Sequence, residues 1–191
     1  MEAEDKIKLF GMSLGLVERD LDAIEGKLKL DLQREASNDK DEDYYPQFTH
    51  AFRVEAAAMG RHYELFYCLE KSIRSLIAET LEAAHGEKWW AMQVPQNIQQ
   101  NVQQNLQREI DSGVSQRSEE EIDYTTFGEL GEIVRKNWVD FGSIFSSEKA
   151  FTRIMTSLNV LRGPIAHCCP LAPDEVVRLQ LTVKDWFRLM E

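Results

Sequence analysis

The sequence has no apolar run approaching the roughly 20 residues that a membrane-spanning helix needs. Its opening MEAEDKIKLF is charged and lacks the continuous apolar core of a secretory signal. Cysteine is scarce, with Cys68, Cys168 and Cys169 the only three among 191 residues. That excludes a disulfide framework, leaves too few thiolates for a zinc site, and points to a reducing, cytoplasmic setting. Positive charge is short as well: 22 Lys and Arg stand against 33 Asp and Glu, a formal net charge of -11. A chain so acidic does not bind nucleic acid broadly, so any such binding has to come from a local basic pocket. Nowhere do apolar and polar residues alternate with the period of two that a half-buried strand shows.

What is present is helical periodicity, in a chain long enough for one sizeable core or a core with an added arm. Ile7, Phe10, Leu14, Val17, Leu21, Ile24 and Leu28 draw one apolar stripe. It suits either an ordinary helix packed on its own domain or an arm for dimerisation or docking. Gly11, Gly15 and Gly26 each weaken it by about 1 kcal/mol relative to Ala, so the helix needs outside contacts. Glu35–Pro46 (EASNDKDEDYYP) is an acidic linker whose carboxylates do not follow the spacing of a calcium loop. Residues 1–46 therefore read as a helix plus linker, and 47–191 as a helical domain.

Within that domain the spacing predicts a long helix over Gln47–Ala84, with Tyr63, Phe66, Leu69, Ile73, Leu76, Ile77 and Leu81 on its apolar face. Gly60 would mark a bend or a close helix crossing. Glu64, Glu70 and Arg74 lie beside the apolar face, and Glu70 and Arg74 are spaced to pair. Gly86 reads as the helix stop, with His85 a helix-end residue and Trp89 and Trp90 covering the end. A helix follows over Pro95–Ile110, then a polar, mobile connection over Asp111–Asp123. Thr126 and Glu129 form a capping box for a helix reaching Phe141. The next helix, Ser147–Leu161, carries Phe151, Ile154, Leu158 and Leu161 inward.

The chemistry-bearing stretch is Leu158–Leu171, LNVLRGPIAHCCPL. Leu161 and Ile165 keep one phase across it, while Pro164 predicts a kink or a helix restart, placing Arg162 and His167 at a helix junction. A short helix near Asp174 and a last one capped by Thr182, with Val183, Trp186, Phe187 and Met190 inward, complete an all-α chain. Arg offers a permanently charged fork for phosphate oxygens, and His exchanges a proton near neutral pH. Together they suit phosphodiester cleavage without a metal or cofactor, by attack of a ribose 2′-hydroxyl on its own phosphate. One His per chain is thin for acid and base work; two copies across a symmetric dimer would supply both. The spacing alone favours a structural role, with His167 bonded within the junction and Arg162 paired to an acid such as Glu70.

Three stretches together resemble the HEPN superfamily, in its Swt1-like branch. Arg162, Ile165, Ala166 and His167 match the family's Arg-x4-6-His segment, and Tyr63–Trp90 and Leu130–Trp138 match in order and polarity. The resemblance implies a HEPN-like helical bundle, homodimeric, with the Arg/His segments meeting at the interface. It further implies a metal-independent endoribonuclease acting in a toxin or phage-defence context, with RNA as substrate and an antitoxin or activator as protein partner. Carried over by position, His167 is the acid/base residue and Arg162 the phosphate-binding residue. Asn159 orients the pair, and Glu70 or Glu64 supplies acidic support. The family has a polar residue directly after the Arg, where this chain has Gly163, which would leave room at the substrate. The alternative implied by that departure is a non-catalytic HEPN module for dimerisation, RNA binding or protein binding.

Overall fold

A computed structural model of the chain describes Ile24 and residues 47–191. The N-terminal apolar stripe, Ile24 apart, and the acidic linker lie outside the described residues. The chain divides into two units, Met1–Phe48 and Thr49–Glu191, and the second is the subject here. It is all-helical: seven α-helices and one 3-10 turn, with no strand among the described residues.

Helix α1 (His50–His85) has no proline to interrupt it and is continuous through Gly60. A Cβ built on Gly60 would meet nothing within 4 Å, so no described helix makes the close crossing expected there. Only the C-terminal part of α1 is buried, through Phe66, Leu69, Ile73, Ile77 and Leu81. Tyr63, expected on the same face, is 60% exposed, with no described helix packed over the turn it occupies. Gly86 ends the helix at φ 72°, its N–H donating to the Glu82 carbonyl across 2.7 Å. The short α2 (Trp89–Gln93) then stacks Trp89 edge-on against Trp90, both buried over the helix end. His85 serves at that end, its Nε2 2.9 Å from Asp140 and its Nδ1 3.2 Å from Gln93.

Helix α3 (Gln96–Asp111) starts one residue after Pro95 and buries Ile98 and Val102. The connection beyond it is more structured than its polar composition predicts. It closes in a 3-10 turn, Glu121–Tyr124, because Ile122 and Tyr124 are the two apolar anchors that the acidic residues around them conceal in the sequence. The Thr126–Glu129 capping box forms as read: the Glu129 N–H donates to Thr126 Oγ1 and the Thr126 N–H to the Glu129 carboxylate, at 3.3 and 2.6 Å. Helix α4 (Phe127–Lys136) stops short of Phe141. Asn137 donates its amide to the Ile133 and Gln93 carbonyls, competing with the helical ladder, and a separate turn α5 (Trp138–Phe141) follows.

Helix α6 (Glu148–Ala166) is capped by Ser147 and buries Phe151, Ile154, Met155, Leu158 and Leu161. Contrary to the expected restart, it continues through Pro164. The proline sits in the last turn, where it forfeits a single backbone bond next to the solvent-exposed Val160, a loss small enough for the helix to absorb. Beyond Pro170 one helix, α7 (Pro173–Arg188), replaces the expected two. Thr182 does not cap a new helix; its hydroxyl donates back to the Arg178 carbonyl at 2.7 Å. Leu179, Val183, Trp186 and Leu189 face the core, while Phe187 is 57% exposed on the other side. Helix α6 lies against α7 and α4, and both α4 and α6 pack on α1. Phe145, Phe151 and Trp186 meet at the centre with ring separations of 5.0 to 6.0 Å.

Candidate functional site

Glu70, in the buried half of α1, brings two arginines together. One carboxylate oxygen accepts from Arg74 Nη2 at 2.5 Å and the other from Arg162 Nε at 3.0 Å. Arg74 is buried and spends its remaining donors on the backbone after α3: Nη2 bonds the Thr125 carbonyl at 2.9 Å, and Nη1 bonds Thr125 Oγ1 at 2.8 Å and the Ile122 carbonyl. Thr125 in turn donates its hydroxyl to the Ile122 carbonyl at 2.7 Å. Sequence spacing exposes the Glu70–Arg74 pair but gives no sign of Ile122 and Thr125, whose contribution is mainly backbone oxygen.

Arg162 is the outward half of this arrangement. Its side chain is 40% exposed, and with Nε committed to Glu70 its two Nη groups have no partner among the described residues. They border an open groove of about 590 Å³ between α1, α6 and the Arg117–Thr126 segment. Tyr63, Tyr67, Lys71, Arg117, Asn105 and Ala166 are among the other residues at its walls. Arg117 is itself fixed, paired with Glu109 and lying 5.0 Å over the Tyr124 ring. The hydrogen bond from Arg117 holds the Glu109 carboxyl below its ordinary value of 4.5.

The groove wall reaches Ala166 and stops one residue before His167. His167 closes α6, its N–H donating to the Gly163 and Pro164 carbonyls at 3.0 and 3.3 Å. Its ring is exposed, and no described side chain bonds to it. Cys168 follows at φ 54°, and the Cys169 N–H returns to the Pro164 carbonyl at 2.9 Å, the six-to-one bond of a Schellman turn. This turn projects His167 from the end of the helix, five residues and about 140° around the axis from where Arg162 departs. A single copy thus presents the two residues on adjoining surfaces.

The other sequence candidates fall differently. Glu64 is exposed and forms no ion pair among the described residues. Gly163 is partly buried, yet a Cβ there would meet nothing within 4 Å, so neither packing nor backbone geometry demands glycine. Asn159 lies in a separate, smaller groove of about 190 Å³ between α4 and α6, its Nδ2 3.9 Å from where a Gly128 Cβ would stand. No hydrogen bond among the described residues joins it to Arg162 or His167. No three His, Cys, Asp or Glu side chains among the described residues converge as a metal site. No described helix is long and apolar enough to cross a membrane.

The family model described as Swt1-like HEPN matches residues 64–191, which contain Glu70, Arg74, Arg162 and His167. No curated protein and no solved structure matches the chain.

Proposed function

Since the chain belongs to the Swt1-like HEPN family, we propose that it is a metal-independent endoribonuclease whose active cleft forms between two copies. The observation that carries this reading is the Glu70–Arg162 pair, which fixes the guanidinium by Nε and leaves its Nη fork directed at solvent. A guanidinium held in that way is prepared for two oxygens of a phosphodiester.

The reaction follows from the groups present. One neutral His167 takes the proton of a ribose 2′-hydroxyl, and the 2′-oxygen attacks the adjacent phosphorus. The bond from phosphorus to the 5′-oxygen breaks, and the leaving oxygen receives a proton from the protonated His167 of the second copy. The products are a cyclic 2′,3′-phosphate and a 5′-hydroxyl end. Arg162 neutralises the charge that builds on the non-bridging oxygens. An exposed His167 on a rigid helix end is free to reach across a two-fold axis, and a symmetric dimer supplies both protonation states. The net charge of -11 favours a selective effector, a toxin or defence nuclease, gated by an antitoxin or activator. The test is His167→Ala on end-labelled RNA: cleavage should vanish while helicity and dimer mass stay unchanged, and unchanged cleavage removes the reading.

Gly163 favours a second reading, in which the same dimer face is a non-catalytic RNA-binding or protein-binding module. In that case neither the native protein nor His167→Ala cleaves, and both bind the same RNA equally.

A further inference from the structure

The groove beside Arg162 has a property that its phosphate-binding arginine does not explain. Tyr63 and Tyr67 stand one helical turn apart on α1, ring centroids 6.1 Å apart, and remain 60% and 55% exposed. Two neighbouring large aromatics left in water are an unusual use of apolar surface in a domain that buries its other ring clusters. The charge around them is also atypical of the chain. Lys71, Arg74, Arg117 and Arg162 line the groove; Lys71 pairs with Asp123, Arg117 with Glu109, and Arg74 and Arg162 share Glu70, which leaves a surplus of one positive charge beside the free Nη fork of Arg162 in a protein of net charge -11. Aromatic faces and cations in one open channel are the two elements of a surface for unpaired polynucleotide: bases stack on the rings while the cations follow the backbone. A volume of about 590 Å³ suits one or two nucleotides and not a helix of protein.

We propose that Tyr63 and Tyr67 form a base-stacking platform that makes the groove specific for single-stranded RNA, with the phosphate at Arg162 flanked by a base lying on Tyr67 and the next on Tyr63. The proposal deepens the reading of Arg162 as a phosphate-binding residue and rests on it. Duplex RNA is excluded because its base faces are already covered by their neighbours. Arg117, locked by Glu109 and seated over Tyr124, and Asn105 form the opposite wall, where they meet backbone or base edges.

The test uses the full chain and a short oligoadenylate carrying 2′-O-methyl riboses and one 2-aminopurine, which lacks the attacking hydroxyl and so is bound without being cut. Native protein should bind it and quench the 2-aminopurine emission. Tyr67→Ala should weaken binding about ten-fold and abolish the quench, Tyr63→Ala should act less strongly, and Tyr67→Phe should behave as native. The same strand annealed to its complement should bind weakly and without dependence on either tyrosine. Equal affinity of native protein, Tyr63→Ala and Tyr67→Ala overturns the proposal, and so does absence of binding by native protein. A tyrosine variant that lowers the dimer mass in sedimentation while binding the strand normally overturns it too, since the rings then pack on a second copy. Tyrosine-dependent binding by a protein that never cleaves unmodified RNA sinks the nuclease reading and leaves the platform standing.

Discussion

Arg162 donates through Nε to Glu70 across 3.0 Å, joining two residues 92 apart in the sequence. The bond does two things of unequal weight. Arg162 is 40% exposed, so the ion pair contributes no more than about 1 kcal/mol to stability. What it does supply is orientation, since a guanidinium tied at Nε presents its Nη fork in one direction. Stability resides in the other half of the bridge, where Glu70 neutralises the buried Arg74.

Replacing Glu70 therefore tests the inner pair. In Glu70→Gln the Arg74 guanidinium keeps the Ile122 and Thr125 oxygens but loses its one charged partner among the described residues while remaining buried. Urea denaturation should show a loss of about 1.5–3 kcal/mol. Hydrogen exchange should rise first at Ile122–Thr125, which Arg74 pins to α1.

Arg162→Lys separates orientation from stability. The charge remains and the exposed ion pair is nearly neutral in energy, so the melting temperature should move by no more than about 2 °C. The bidentate fork is lost, and RNA cleavage should fall at least about ten-fold. Native rates in Arg162→Lys would show that a point charge suffices and that the fork has no role.

The helices were legible in the sequence wherever one strong period set them. The Thr126–Glu129 capping box, the Gly86 stop and the inward residues of α6 all form as read. The errors have a common origin in side chains that settle a local competition only in three dimensions. Asn137 halts α4 by reaching the Gln93 carbonyl, a residue 44 positions earlier. Thr182, which looks like a cap, bonds within its own helix. Pro164 looks like a breaker, but it falls in a final turn that has only one bond to lose. The site was legible as a list of residue types and opaque as an assembly. Glu70 and Arg162 meet, Asn159 faces a different groove, and the anchoring of Arg74 by backbone oxygens leaves no trace in residue identity.

The turn that presents His167 carries a measurable strain. Cys168 holds φ 54°, a left-handed conformation that costs a residue with a Cβ about 1–2 kcal/mol. Cys168→Gly relieves it, less the larger backbone entropy of glycine in the unfolded chain, for a net gain of about 0.5–1 kcal/mol in denaturant unfolding. Destabilisation instead would mean that the Cys168 side chain makes a contact worth more than the strain.

Acid should release the wall formed by Arg117. Glu109 titrates below 4.5 because Arg117 donates to its carboxylate, so the folded pKa lies under the unfolded one. The stabilisation from this pair is complete above 4.5 and is lost as pH falls through the lower, folded value. A carbon-13 NMR titration of the Glu109 carboxyl should give a midpoint under 4.5 in native protein and an ordinary one in Arg117→Ala. Coincident midpoints would show that the Arg117 contact does not hold the loop.

Gly163 is where the two functional readings part. A Cβ there has open space, so Gly163→Ala should raise helix stability by about 0.5–1 kcal/mol with no packing penalty. Glycine is therefore not imposed by the fold, and its effect must be sought in the chemistry beside Arg162. Gly163→Asn places a hydrogen-bonding group next to Arg162, and on the proposed reading the rate of RNA cleavage should rise several-fold, whereas Gly163→Ala should gain stability without gaining rate. If native protein is inert and Gly163→Asn cleaves, the chain is a binding module one side chain away from a nuclease. If neither substitution alters a measurable native rate, Arg162 and His167 suffice without a polar neighbour.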